Sequence, residues 1–127
     1  MEIWFVAKKI LIVDDSASVR QVAGIALRGA GYEVVEGVNG QDALAKLDGS
    51  KIHLIISDVN MPVMDGISFL KAVKANPAYK FTPVIMLTTE SGEDKKAQGR
   101  AAGARAWIVK PFIPQTMLEA VSKLVLA

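Results

Sequence analysis

Hydrophobic and polar residues follow two patterns along the chain, which together predict five strands and five helices. Short apolar runs, typical of strands, lie at residues 10–13, 32–38, 53–57, 84–87 and 106–109. After each run, apolar residues recur every three or four positions, which is the spacing of an amphipathic helix. Strands that alternate with helices in this way predict βαβ units and a mostly parallel sheet covered on both faces.

The residues between these segments predict where the helices begin. The expected starting residues are Ser16 for the first helix, Asn39 and Gly40 for the second, Asp65 or Gly66 for the third, and Pro114 for the fifth. Gly31 is expected to stop the first helix. The fourth helix, at residues 94–102, has the weakest pattern because it is polar and contains Gly99.

The apolar runs also differ in a way that predicts their place in the sheet. The first, third and fourth runs are continuously apolar, as expected for strands that are buried on both faces. The second and fifth runs are mixed and are therefore expected at the edges. We predict a five-stranded α/β sandwich, without an internal repeat or an interdomain linker.

Length and composition exclude several classes of protein. The 127 residues, of which 51% are hydrophobic and 22% charged, predict one globular domain. The chain has no Cys, which excludes disulfides, thiolate metal sites and cysteine nucleophiles, and its one His, His53, excludes histidine metal clusters. A net charge of +2 gives no reason to expect nucleic-acid binding. We interpret His53 as structural.

The N-terminal residues 1–8 are predicted to be a leader to a single domain at residues 9–127. The leader is apolar but short, and it carries Glu2 where a signal peptide would carry basic residues. No segment reaches the roughly 18 apolar residues of a membrane span. We expect a cytoplasmic protein whose leader packs on the sheet edge or hangs loose, although Trp4 leaves a docking role open.

Chemically active side chains follow four of the predicted strands, at the edge where an open α/β sheet binds ligands. They are Asp14 and Asp15 after the first strand, Asp58 after the third, Thr88 and Thr89 after the fourth, and Lys110 after the fifth. Three nearby carboxylates repel one another unless positive charge lies among them. Lys110 supplies one such charge, and Mg²⁺, which prefers a few carboxylates and several waters, would supply more. The set suits phosphoryl chemistry with an Asp as acceptor.

Four motifs carry a resemblance to a known family. They are LIVDDS at 11–16, DVNMPVMDG at 58–66, MLTTE at 86–90 and VKPF at 109–112. Together they are similar to those of response-regulator receiver domains, and especially to the free-standing, CheY-like regulators. The resemblance implies a flavodoxin-like, doubly wound sheet of order 2-1-3-4-5. It also implies a stand-alone regulator of two-component signalling that accepts a phosphoryl group from a histidine kinase and catalyses only its own phosphorylation and dephosphorylation.

The resemblance assigns a role to individual residues. Asp58 matches the phosphoacceptor, and Thr88 and Lys110 match the groups that contact the phosphoryl oxygens. The expected ligands of Mg²⁺, for which Mn²⁺ is expected to substitute, are Asp14, Asp15, Asp58 and the backbone carbonyl of Asn60. The bond before Pro111 is expected to be cis. Asn60 and Glu90 match positions that tune dephosphorylation, and we expect a short-lived phosphoryl group.

The resemblance also implies a switch and a set of partners. Thr88 and an aromatic residue on the fifth strand would rearrange after phosphorylation and change the face formed by the fourth helix, fifth strand and fifth helix. The aromatic here is Trp107, where the resembled regulators usually carry Tyr or Phe, so the indole needs more room. Expected partners of this monomer are a histidine kinase, a phosphatase and a target such as the flagellar-motor switch, in chemotaxis or a related phosphorelay.

The basic patch near the predicted fourth helix leaves two interpretations open. It is formed by Lys95, Lys96, Arg100 and Arg105, and it is either a solvated face or a site for an acidic peptide.

Three other classes of protein are alternatives to a signalling receiver. A haloacid-dehalogenase-type phosphatase would need an Asp where Asn60 stands. In a flavodoxin, Asp14 and Asp15 would repel the phosphate of the flavin. A degenerate receiver that only scaffolds a complex is a third alternative.

Overall fold

The computed structural model describes residues 7–89 and 93–125, and it shows one five-stranded parallel sheet of order β2-β1-β3-β4-β5. The strands are β1 (Lys9–Val13), β2 (Glu33–Gly37), β3 (Leu54–Ser57), β4 (Val84–Thr88) and β5 (Ala106–Val109). The helices are α1 (Ala17–Gly29), α2 (Gly40–Lys46), α3 (Gly66–Ala75), α4 (Glu93–Ala102) and α5 (Pro114–Leu124). The predicted fold class and strand order are confirmed.

Burial of the strands follows the predicted division into central and edge strands. Every residue of β3 and β4 is buried, as is β1 after its first residue, whereas β2 and β5 are mostly half-buried or exposed. One hydrophobic core packs α1 and α5 against the sheet, and a second packs α2, α3 and α4 against the opposite face. The continuously apolar runs therefore form the centre of the sheet because both of their faces are covered.

The helices begin where their capping residues predicted. Ser16, Asn39 and Asp65 each accept a hydrogen bond from a backbone N–H three residues later. Pro114 lies in the first turn of α5. Helix α1 ends at Gly29, two residues before Gly31, whose φ of 95° reverses the chain.

Some predictions fall outside the part of the chain that the structure describes. Residues 1–6, which include Trp4, and residues 90–92, which include Glu90, belong to this group. In the described residues, no helix is long and apolar enough to cross a membrane.

Candidate functional site

Three carboxylates come together at the carboxyl ends of β1 and β3. These strands are parallel neighbours with Val13 opposite Ser57, so Asp14 and Asp58 leave the sheet side by side. Oxygens of Asp14, Asp15 and Asp58 lie within 4.8 Å of one another. Asp14 and Asp58 are buried, whereas Asp15 is exposed. The site is therefore a small acidic pocket that opens to solvent at Asp15.

Lys110 brings its ammonium into this pocket from the far edge of the sheet. Its Nζ lies 2.8 Å from Oδ2 of Asp14 and 3.4 Å from Oδ2 of Asp58. The backbone N–H of Lys110 donates to the carbonyl of Thr88 at 2.7 Å, and the following bond to Pro111 is cis. Burial alone would lower the pKa of the Lys110 ammonium, but the contact with Asp14 and the charge of Asp58 outweigh burial and raise it.

The negative charge of the buried Asp58 carboxylate is only partly balanced by its surroundings. Its pKa is raised by burial first and by the charge of Asp14 second, although Lys110 and a 2.8 Å hydrogen bond from the N–H of Val59 oppose the shift. One ammonium shared by these carboxylates thus leaves negative charge in the pocket. Carboxylate oxygens around excess negative charge suit a hard divalent cation, so the residues present fit Mg²⁺ or Mn²⁺.

Asp14 is held at every polar atom. Its Oδ1 accepts from the N–H of Ser16 at 2.9 Å, and its Oδ2 accepts from Lys110. Its N–H donates to the carbonyl of Gly37 at 3.1 Å, and its own carbonyl accepts from Nη1 of Arg20 at 2.7 Å. The contact of Arg20 was missed from the sequence, where this residue reads as an ordinary polar position of α1.

The loop after Asp58 ends in Gly66, where only a glycine fits. A Cβ at this position would collide with the backbone carbonyl of Asp58, while the N–H of Gly66 donates to the carbonyl of Val59 at 2.7 Å. The first turn of α3 thus lies directly against the backbone of the predicted phosphoacceptor. Val63, in the same loop, has a φ of 71°, which is strained for a β-branched residue.

The remaining predicted residues occupy different parts of the fold. Thr88 is fully buried at the end of β4, and Asn60 is exposed in the loop two residues after Asp58. Met61, Met64 and Met86 pack in the core beneath α2 and α3, as predicted. Nδ1 of His53 accepts a hydrogen bond from the N–H of Lys9 at 2.9 Å, which agrees with the interpretation of His53 as structural.

Trp107 packs against α4 at a point where that helix has no side chain. A Cβ at Gly99 would lie 2.9 Å from Cζ3 of the indole, and Ile67 lies near the same point. Gly99 therefore supplies the room that a tryptophan needs on β5. A cavity of about 170 Å³ beside the indole is lined by three residues of the predicted basic patch, Lys96, Arg100 and Arg105.

Known proteins resemble the chain over nearly its whole length. A family model for the response regulator receiver domain matches residues 10–122. Protein PilG of Pseudomonas aeruginosa is 37% identical over 113 residues, which cover 89% of this chain and 84% of that protein. Chemotaxis protein CheY1 of Helicobacter pylori is 41% identical over 113 residues, covering 87% and 91%. The structure of the Vibrio cholerae chemotaxis response regulator CheY4 matches with a TM-score of 0.89 at 49% identity, covering 94% of this chain and all of the other.

Proposed function

Because the chain belongs to the response regulator receiver domain family, we propose that it is a stand-alone response regulator that accepts a phosphoryl group on Asp58 from a histidine kinase. Residues 9–127 are proposed as the receiver and residues 1–8 as a leader. A cytoplasmic location is part of the same proposal. The observation that supports it best is the buried carboxylate of Asp58, which shares one small pocket with Asp14, Asp15 and the ammonium of Lys110.

The proposed reaction transfers a phosphoryl group from a histidine nitrogen to a carboxylate oxygen. A carboxylate oxygen of Asp58 attacks phosphorus, the P–N bond breaks, and its electrons remain on the imidazole, which takes a proton. Lys110 pairs with the oxygens that carry negative charge during transfer, because its Nζ already lies 3.4 Å from Asp58. Thr88 is proposed to donate its hydroxyl to a phosphoryl oxygen afterwards.

Asp14, Asp15, Asp58 and the backbone carbonyl of Asn60 are proposed to hold Mg²⁺, for which Mn²⁺ can substitute. When bound, the ion would neutralise charge shared by the acceptor and the incoming phosphoryl oxygens. The protein catalyses only its own phosphorylation and dephosphorylation in this proposal. Asn60 and Glu90 are proposed to set how quickly the phosphoryl group is lost.

The output of the switch is proposed to pass through Trp107. Movement of Thr88 and Lys110 toward the phosphoryl group would change the packing of the indole against Gly99, and with it the face formed by α4, β5 and α5. That face would then bind a target protein such as the flagellar-motor switch, and a phosphatase would reset it. Chemotaxis or a related phosphorelay is the proposed pathway, since relatives named for chemotaxis align with nearly the whole chain.

The test of this function is phosphoryl uptake from acetyl phosphate with Mg²⁺, followed by intact mass. We expect one added phosphoryl group in the wild type, none after Asp58→Asn, and none when EDTA replaces Mg²⁺. Asp65→Asn is the matched control, because it makes the same chemical change seven positions later at the exposed start of α3. Uptake by Asp58→Asn equal to that of the wild type would contradict the proposal, and a protein that takes up nothing would be a scaffold.

A second measurement tests the switch. In a Trp4→Phe background, beryllofluoride with Mg²⁺ should change the fluorescence emission of Trp107 because the indole lies between β5 and α4. An unchanged spectrum from a protein that takes up phosphoryl groups would remove Trp107 from the switch while leaving Asp58 as the acceptor.

A further inference from the structure

Arg20 links the acidic pocket to the outer strand of the sheet. From α1 its Nη1 donates to the backbone carbonyl of Asp14 at 2.7 Å, and its Nε donates to Oε1 of Glu36 on β2 at 3.1 Å. The Arg20 side chain is only 15% exposed. Its guanidinium is thus fixed between one carboxylate and one carbonyl, which suits the planar, rigid fork of Arg.

The carbonyl that Arg20 contacts belongs to the peptide plane between Asp14 and Asp15. The orientation of this plane sets the direction in which the next residue, Asp15, projects its side chain. The side chain of Asp14 is already held by Ser16 and Lys110, whereas that of Asp15 is exposed. The bond from Arg20 therefore bears mainly on the placement of Asp15.

Arg28 provides an internal comparison on the same helix. Its Nη2 lies 3.7 Å from Oε2 of Glu36, so both arginines pair with the same carboxylate. The Arg28 side chain is 53% exposed, and its ion pair is with Glu36. The two residues thus carry the same charge and share one partner but differ in their contact with the backbone of Asp14.

We propose that Arg20, held by Glu36, is a positioning residue that orients the peptide between Asp14 and Asp15 so that both carboxylates can bind a divalent cation. The proposal rests on the proposed function of this pocket as a Mg²⁺ site. Arg20 touches neither the cation nor the phosphoryl group in this scheme. Its effect reaches the metal only through the backbone, as partners behind metal ligands commonly do.

Calorimetric titration of the whole chain with Mg²⁺ alone tests the proposal. Loss of a partner that orients a ligand typically weakens metal binding, so Arg20→Gln should raise the Kd for Mg²⁺ about tenfold. Removal of a positive charge by itself would instead lower the Kd, and Arg28→Gln is the control for that effect. We expect Arg28→Gln to stay within about twofold of the wild type, since exposed charges interact weakly.

A second readout separates positioning from a general loss of structure. At saturating Mg²⁺, the rate of phosphoryl uptake from acetyl phosphate by Arg20→Gln should return to the wild-type rate, because the chemical groups are intact. Arg20→Lys keeps one donor but not the fork and should raise the Kd about threefold. Arg20→Lys also carries the test should Arg20→Gln lose its helical circular dichroism.

Coupling to Glu36 gives the last arm. Glu36→Gln should weaken Mg²⁺ binding less than Arg20→Gln does, and the double variant should be no weaker than Arg20→Gln alone. If the wild type binds Mg²⁺ and Arg20→Gln binds it equally or more tightly, the role of Arg20 is refuted while the proposed function stands. A wild type that binds no Mg²⁺ would refute both.

Discussion

The two rims of the sheet bury polar side chains in different ways. At the site rim, where the strands end, charged side chains face one another, with Asp14 and Asp58 around Lys110. At the opposite rim, where the strands begin, polar side chains bond to the backbone. The hydroxyl of Tyr79 accepts from the N–H of Gly49 and donates to the carbonyl of Ser50, both at 2.8 Å.

Two more side chains of the opposite rim show the same behaviour. Nζ of Lys74 donates to the carbonyls of Thr82 at 2.6 Å and Lys80 at 3.2 Å, and His53 accepts from the N–H of Lys9. Each of these contacts joins complementary groups, whereas the site rim also places like charges together and raises the pKa of Asp58. Polar burial at the opposite rim therefore serves stability, and at the site rim it leaves charge available for a ligand.

The largest effect is expected where the backbone of the site rim is packed most tightly. Gly66→Ala places a methyl group against the carbonyl of Asp58, so we expect a loss of about 3 kcal/mol in the free energy of unfolding. Phosphoryl uptake at subsaturating acetyl phosphate should fall as well, because the acceptor must shift. Urea denaturation and intact mass measure the two effects.

Gly29→Ala is the matched control for Gly66→Ala. A Cβ at Gly29, at the end of α1, meets no atom within 4 Å. The control should therefore be slightly more stable than the wild type, by up to about 0.5 kcal/mol, since Ala is the better helix former. If both variants had wild-type stability, the contact between Gly66 and Asp58 would not constrain the site rim.

At the opposite rim, Tyr79→Phe should separate stability from function. The variant leaves the N–H of Gly49 and the carbonyl of Ser50 without the hydroxyl, at an expected cost of about 2 kcal/mol in the free energy of unfolding. Phosphoryl uptake should be unchanged, because these groups lie at the other end of the sheet. Uptake lost in proportion to stability would show that the rims are coupled.

Tyr32→Phe removes the same atom at a second tyrosine. Tyr32 is half-buried before β2, and no described residue provides a hydrogen bond to its hydroxyl. The free energy of unfolding of Tyr32→Phe should therefore stay within about 0.5 kcal/mol of that of the wild type.

A smaller effect of opposite sign is expected from Asp58→Asn. Without a divalent cation at neutral pH, the variant removes a buried charge that Asp14 repels, so it should be more stable by about 1 kcal/mol. Asp65→Asn makes the same change where backbone and side-chain hydrogen bonds from Ser68 lower the pKa of the carboxyl, and it should be neutral or less stable. Chemical denaturation in EDTA measures both.

Addition of Mg²⁺ extends the comparison of these two variants. It should stabilise the wild type and Asp65→Asn, both of which keep the acidic pocket, and stabilise Asp58→Asn less. An Asp58→Asn protein that is less stable than the wild type in EDTA would mean that Lys110 already compensates the charge of Asp58.

Local signals were enough to predict the strands and much of the site rim. Apolar runs gave the strands, Ser16 and Asp65 marked helix starts, and the convergence of Asp14 with Asp58 follows from parallel strands that end together. These features depend on short stretches of chain and on the geometry of a parallel sheet. A sequence pattern can indicate these features because each depends on which residue types occur at short, regular spacings.

Other contacts could not be predicted because they join segments that only tertiary packing brings together. Arg20 on α1 reaches the carboxylate of Glu36 on β2, 16 residues away, and Tyr79 reaches a loop 29 residues away. In the sequence, Gly99 indicates only a weak fourth helix. The structure shows that the absence of a side chain at Gly99 leaves room for the indole of Trp107. The reach of a long side chain and the space beside a glycine leave no periodic pattern in the sequence.

The smallest expected effect is the pH dependence contributed by His53 at the opposite rim. Its pKa is lowered from the ordinary value of 6.5, first by burial and then by the charges of Lys8 and Lys51. Protonation of Nδ1 would also remove the acceptor for the N–H of Lys9. The unfolded chain therefore binds the proton more readily, so the stabilisation is present above pH 6.5 and decreases as the pH falls below that value.

His53→Asn isolates this contribution, because the amide oxygen can accept from the N–H of Lys9 and does not titrate. Between about pH 7 and pH 5, the wild type should lose more of its free energy of unfolding than the variant does. Both proteins share the carboxylates of the site rim, so their titration cancels in the difference. Equal pH dependence in the two proteins would mean that folding does not lower the pKa of His53.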